Sequence, residues 1–132
     1  MAGGLVGLAA MKSLLSSYPP GLLLQGGALV LFLWARVTFG WRSFHLGANP
    51  TEGGLVTSGP YRYIRHPIYA ALCFFIWVGV VGHWSWSTVM CGGVVLGGTM
   101  VRIFCEEKLV TARYPEYRQY AAKTWRMIPY LF

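Results

Sequence analysis

Residues 67–108 read PIYAALCFFIWVGVVGHWSWSTVMCGGVVLGGTMVRIFCEEK. Two apolar runs, 68–82 and 88–104, flank a polar-aromatic break at 83–87, and charge returns only at Arg102, Glu106, Glu107 and Lys108. This pattern predicts two helices joined as a transmembrane hairpin, with Pro67 as the first helical residue of the first arm. Each arm falls short of the roughly 20 residues that cross a hydrocarbon core. Extension into the flanks or local thinning of the bilayer is therefore expected. Trp84 and Trp86 suit the aromatic belt at a membrane interface. Gly92, Gly93, Gly97 and Gly98 suit close helix approach in lipid.

Upstream, residues 21–39 form a further apolar run broken only by Gln25 and Arg36. Pro19 and Pro20 fit the first turn of that helix, and Arg36 can snorkel to the interface. Residues 1–17 are apolar with a single Lys12 and no basic segment ahead of them. They predict a short membrane-associated or partly inserted helix, not a signal peptide. The fold class expected is all-α: a membrane bundle of about three spans with a short N-terminal helix and C-terminal helices at the cytoplasmic face. Residues 1–132 are expected to form one domain, with 1–39 as N-terminal membrane helices and 40–132 as a cofactor-binding core.

Composition agrees. Of 132 residues, 55% are hydrophobic and 11% charged, against about 25% charged in soluble domains. Mean hydropathy is +0.48. The net charge is +7, but the cations flank apolar runs, which fits the positive-inside rule better than a nucleic-acid surface. Ten of the eleven Lys and Arg residues, from Arg36 onward, fall to one side of this arrangement, and the hairpin turn has none. The loop at 40–67 and the C-terminal tail should share the cytoplasmic face. Cys73, Cys91 and Cys105 show neither a C-x-x-C motif nor metal-ligand spacing, so they are read as packing residues. No disulfide and no metal site are expected. In the tail, a helix to about Arg113 should stop before Pro115, and a second short helix should cover 116–123.

Two polar clusters remain. The first is residues 55–69, LVTSGPYRYIRHPIY; the second is Arg102-Ile103-Phe104-Cys105-Glu106-Glu107-Lys108 with Tyr114-Pro115-Glu116-Tyr117-Arg118-Gln119-Tyr120 beyond it. Arg102 and Glu106 are four apart and share a helix face. An ordinary helix-end ion pair would account for them. Yet two of only four acids adjoin at the end of a membrane helix, and ionisable groups at such depth point to function. A helix starting at Pro67 leaves free first-turn N–H groups near His66 and Tyr69, suited to an anion or a polar cofactor edge. Interfacial anchoring by the tyrosines and arginines explains the composition of the first cluster but not its order.

With Arg-His-Pro-x-Tyr at 65–69, Glu106-Glu107 and a terminal Tyr-x-x-Tyr, residues 53–129 resemble the isoprenylcysteine carboxyl methyltransferases, which share much of this pattern with the phospholipid N-methyltransferases. The resemblance implies a membrane-embedded methyltransferase whose S-adenosylmethionine cofactor lies in a cytosolic pocket closed by the C-terminal segment. Carried over position by position, the cofactor contacts would be Leu55, Val56, Tyr61, His66, Pro67, Ile68, Tyr69 and Glu106. Gly53 and Gly54 are weaker candidates. Arg102 would hold the substrate carboxylate, and Arg102 and Glu106 together would form the catalytic pair. The acceptor implied is an isoprenylcysteine or similar lipid-linked carboxylate entering from the bilayer. The sequence departs from the eukaryotic members, which carry several more N-terminal helices, and its Tyr114-Pro115-Glu116-Tyr117 turn is one residue shorter. N-methylation of a phospholipid amine is the alternative, with Glu107 or His66 as base. A small transporter or structural protein is the reading from another class. Three spans give little enclosure, so a homo-oligomer would help.

Overall fold

The computed structural model describes residues 2–10, 12, 14–40 and 55–132; their regular structure is helical, joined by turns and irregular segments, with one isolated bridge and no strand among them. The order is α1 (Ala2–Ala10), α2 (Pro19–Phe39), a 3₁₀ turn (Gly59–Arg62), α3 (Pro67–Gly82), α4 (Trp86–Arg113) and α5 (Tyr117–Lys123). The all-α expectation holds. So do both proline starts, at Pro19 and Pro67.

Two helices, α2 and α4, are long and apolar enough to cross a membrane, while α3 is a shorter apolar helix of 16 residues. Only 17% of the apolar window of α2 is buried. Gly21, Gln25, Ala28 and Ala35 face protein, while Leu23, Val30, Leu33, Trp34 and Val37 are exposed. A core helix of a water-soluble domain would show the reverse.

The second hairpin arm is longer than its apolar run because the helix does not stop where the polarity changes. At 28 residues α4 measures about 42 Å, so its last two to three turns carry the charged cluster past the hydrocarbon. It also starts before the apolar run. The Ser85 hydroxyl accepts from Thr88 N–H (3.2 Å) while the Thr88 hydroxyl accepts from Ser85 N–H (3.0 Å), a reciprocal N-terminal cap of the capping-box type.

Contacts gather into two compact units, Met1–Val30 with Ala71–Met100 and Leu31–Ala70 with Val101–Phe132. In the first, Leu8, Ile76, Val80 and Val95 form a buried cluster. Helix α1 lies close on α4: a Cβ on Gly4 would meet the Cys91 carbonyl at 2.7 Å and the Val95 side chain at 2.8 Å. Gln25, a polar break in an apolar helix, is buried and fully used. Its Oε1 accepts from Ser16 N–H (2.9 Å), and its Nε2 donates to the carbonyls of Leu14 (2.7 Å) and Phe75 (3.0 Å). It thereby satisfies the non-helical backbone at 14–16, which lipid could not.

The second unit holds every described charged residue except Lys12. Its 3₁₀ turn begins at Gly59, with φ +56° and with Thr38 Oγ1 2.6 Å from where a Cβ would sit. Both facts restrict the position to glycine, and they seat the turn against the end of α2.

Candidate functional site

The site grows from the strand-like segment 63–66. Trp125 N–H donates to the Tyr63 carbonyl (3.0 Å), Arg65 N–H to Trp125 (2.7 Å) and His66 N–H to Arg126 (2.9 Å). These bonds make a short parallel bridge between Ile64 and Trp125 that straps the C-terminal segment to the loop before α3. The Tyr120 hydroxyl adds a bond to the Tyr61 carbonyl at 2.6 Å. Tyr61 is buried with its ring 5.4 Å from that of Phe39. Burial, with Tyr120 nearby, holds the Tyr61 phenol well above its ordinary value, and burial pushes Tyr120 up to about 12. Both therefore remain neutral hydrogen-bond donors at physiological pH.

Helix α3 starts immediately after this bridge. The His66 carbonyl accepts its first intrahelical bond, from Ala70 N–H at 2.9 Å. The amides of Ile68 and Tyr69 therefore belong to the first turn, where the helix supplies no acceptor. One turn along the surface, the Arg102 Nε donates to the Tyr69 hydroxyl (2.5 Å) and, at 3.3 Å, to Glu106 Oε1. The Tyr69 hydroxyl in turn donates to Glu106 Oε1 at 2.5 Å. The sequence spacing predicts only an Arg102–Glu106 pair. The fold inserts a phenol between its members.

His66 stands between the two acids. Its Nδ1 is 3.9 Å from Glu106 Oε2, its Nε2 is 3.3 Å from Glu107 Oε1, and its ring lies 5.8 Å from that of Tyr69. Glu107 is the hub of a second cluster: Arg65 Nε at 2.9 Å, Arg126 Nε at 3.1 Å and the Tyr117 hydroxyl at 3.4 Å. Arg65 extends further, to the carbonyls of Ala121 (2.8 Å) and Thr124. Arg126 spans the rings of Phe104 and Phe132 at 5.4 and 5.2 Å. Glu107 lies beyond the apolar stretch of α4. Burial works against its ionisation, but hydrogen bonds from the His66 ring, Arg65 and Arg126 outweigh that and push its carboxyl down to about 2.

Among the residues singled out from the sequence, Tyr61, His66, Pro67, Ile68, Tyr69, Arg102 and Glu106 all lie in this one compact unit. His66, Tyr69, Arg102 and Glu106 form a contiguous set. Leu55 and Val56 are half-buried in irregular backbone ahead of the 3₁₀ turn, with no side-chain polarity to join it. Gly53 and Gly54 lie outside the described residues. Sequence reasoning missed Arg65, Arg126 and Tyr117 as partners of Glu107. The only signal was compositional: so few acids among so many cations leaves each acid contested.

The model of the phospholipid methyltransferase family matches residues 17–117. The chain belongs to the phospholipid methyltransferase family. That family is related to the isoprenylcysteine carboxyl methyltransferases, so the resemblance read from Arg65-His66-Pro67 and Glu106-Glu107 falls in the right group. Taken with its long apolar helices, whose apolar side chains face outward, membership makes this phospholipid methyltransferase relative a membrane protein. It is 30% identical over 95 residues to the nickel-cobalt-cadmium resistance protein NccN of Alcaligenes xylosoxydans xylosoxydans, covering 69% of this chain and 43% of that one. It is also 30% identical over 113 residues to the cobalt-zinc-cadmium resistance protein CzcN of Cupriavidus metallidurans, covering 83% of this chain and 50% of that one. The chain thus spans about half the length, or less, of the curated relatives it matches. No solved structure matches it significantly.

Proposed function

We propose that this chain is an S-adenosylmethionine-dependent methyltransferase acting on a lipid-linked carboxylate, with its active site at the cytoplasmic face. The observation that carries the acceptor is the state of Arg102. Its hydrogen bonds among the described residues both use Nε, and the side chain is part-exposed, so among those residues the two Nη groups are left for a carboxylate. Arginine suits such an acceptor because its fork matches the two oxygens.

The donor set also fits the cofactor, whose amino-acid portion is a zwitterion. The first-turn amides of Ile68 and Tyr69 can take its carboxylate, and Glu106, with His66 beside it, can take its ammonium. Tyr61, Leu55, Val56 and Pro67 would supply apolar walls. When bound, the cofactor supplies an activated methyl group on a sulfonium, so the protein's task is alignment and exclusion of water. Arg102 would orient the acceptor, and Tyr69 would fix the angle between Arg102 and Glu106. A carboxylate is already ionised at neutral pH, so no base is required.

A second reading has its own support in the family match: N-methylation of a phospholipid amine such as phosphatidylethanolamine. An ammonium must lose a proton before attack. Glu107 is a poor base for this, being ionised down to about pH 2 and committed to two guanidiniums, which leaves His66. The metal-resistance names stay with the relatives that carry them.

The test is methylation of total lipid extract with labelled cofactor, followed by mass identification of the product, across pH 5–9. A carboxyl ester formed at a rate flat above pH 5 supports the first reading. A methylated amine, with a rate rising with pH, replaces it by the second. Absence of S-adenosylhomocysteine binding by calorimetry would overturn both and return the chain to a non-enzymatic membrane role.

A further inference from the structure

An open surface groove of about 450 Å³ runs along α4 and Arg118 of α5, lined by Phe104, Glu107, Lys108, Thr111, Ala112 and Arg118. At 100° per residue, Phe104, Lys108 and Thr111 share a face of α4 roughly half a turn away from Arg102 and Glu106. The groove therefore opens on the opposite face of α4 from Arg102 and Glu106, sharing only the Glu107 cluster with the site described above.

Its charge is one-sided. Glu107 is matched by Arg65 at 2.9 Å and Arg126 at 3.1 Å, so it does not neutralise the other cations of the lining. Lys108 and Arg118 are both exposed, and the ion pairs among the described residues use Arg65, His66, Arg102 and Arg126 instead. The floor starts at Phe104, the last residue of the apolar stretch of α4. Phe104 is 47% exposed, and Val101, one turn before it, is 65% exposed. An apolar, exposed helix face thus leads directly to two cations that form no ion pair among the described residues.

We infer that this groove binds the phosphate head group of an anionic phospholipid, gripped by Lys108 and Arg118, with its acyl chains lying along Val101 and Phe104. Basic side chains at a span end attract anionic lipids. The long stems of Lys108 and Arg118 can cover the Phe104 surface while their heads reach the phosphate.

The full chain, purified in detergent, is given phosphatidylglycerol or phosphatidylcholine, and bound lipid is counted by native mass spectrometry. Wild type should retain phosphatidylglycerol over phosphatidylcholine. The double variant Lys108→Ala, Arg118→Ala should lose about tenfold in that retention. The double variant Arg113→Ala, Lys123→Ala removes the same charge outside the groove and should stay within about twofold of wild type. Equal loss in both variants, or no loss in the first, overturns the assignment. So does displacement by millimolar glycerol phosphate, which would make the ligand a soluble phosphate. If the first variant elutes as aggregate, the charge-conserving pair Lys108→Arg, Arg118→Lys replaces it. Retention within about threefold of wild type supports the site, and full loss overturns it.

Discussion

The Tyr69 hydroxyl is the smallest group on which the proposed chemistry turns. It accepts from Arg102 and donates to Glu106, so its removal leaves both charges in place but frees their mutual angle. Tyr69→Phe should lower the methyl-transfer rate about tenfold, the scale of one hydrogen bond to charged partners, while S-adenosylhomocysteine affinity by calorimetry changes less. Glu106→Ala should abolish that affinity. A kcat unchanged in Tyr69→Phe would remove Tyr69 from the positioning role. Glu107 makes a different prediction. Its folded-state pKa is depressed from 4.5 to about 2, so its contribution to stability is present above about pH 4.5 and is lost as pH falls towards 2. The unfolding temperature in detergent should be level from pH 7 to 5 and then decline. Glu107→Gln should be less stable at pH 7, with that part of the decline absent.

At the scale of elements, the helices are held by small residues and by one amide. In lipid, apolar burial gives little drive for helices to associate, so close packing and satisfied polar groups matter more. Gly4→Val would push a side chain into Cys91 and Val95 and should destabilise by about 1–3 kcal/mol, read as a lower unfolding temperature. Gln25→Leu raises the hydropathy of α2 yet should destabilise by a similar amount, because Ser16 N–H and the Leu14 and Phe75 carbonyls lose their partner. A Gln25→Leu protein as stable as wild type would mean that water reaches this backbone.

For the molecule as a whole, the open matter is which side of the bilayer carries the charged end of α4. With ten of eleven cations beyond residue 35 and none in the hairpin turn, the positive-inside rule predicts that this end faces the cytoplasm. In a chain whose three cysteines are replaced by alanine, Ser87→Cys should react with an impermeant maleimide from outside the cell. Lys123→Cys should react only after the membrane is opened. The opposite pattern would invert the topology and put the cofactor face outside.

Sequence alone determined the helices, and the resemblance to a methyltransferase family paired the two distant motifs. Apolar run length, Pro19, Pro67 and Pro115 are local signals, and a lipid-spanning helix has little freedom to depart from them. Arg102 and Glu106 were legible for the same reason, since four residues on one helix is a fixed distance. Tertiary structure decided what no local rule encodes. Tyr69 enters between Arg102 and Glu106 from 33 and 37 residues away. Glu107, adjacent to Glu106 in sequence, is turned by 100° about the helix axis towards Arg65, His66, Tyr117 and Arg126. One step along a helix separates a carboxylate held by Tyr69 and Arg102 from one tied to the loop and tail, and the segments bridged at Ile64 and Trp125 supply the two arginines that tie it.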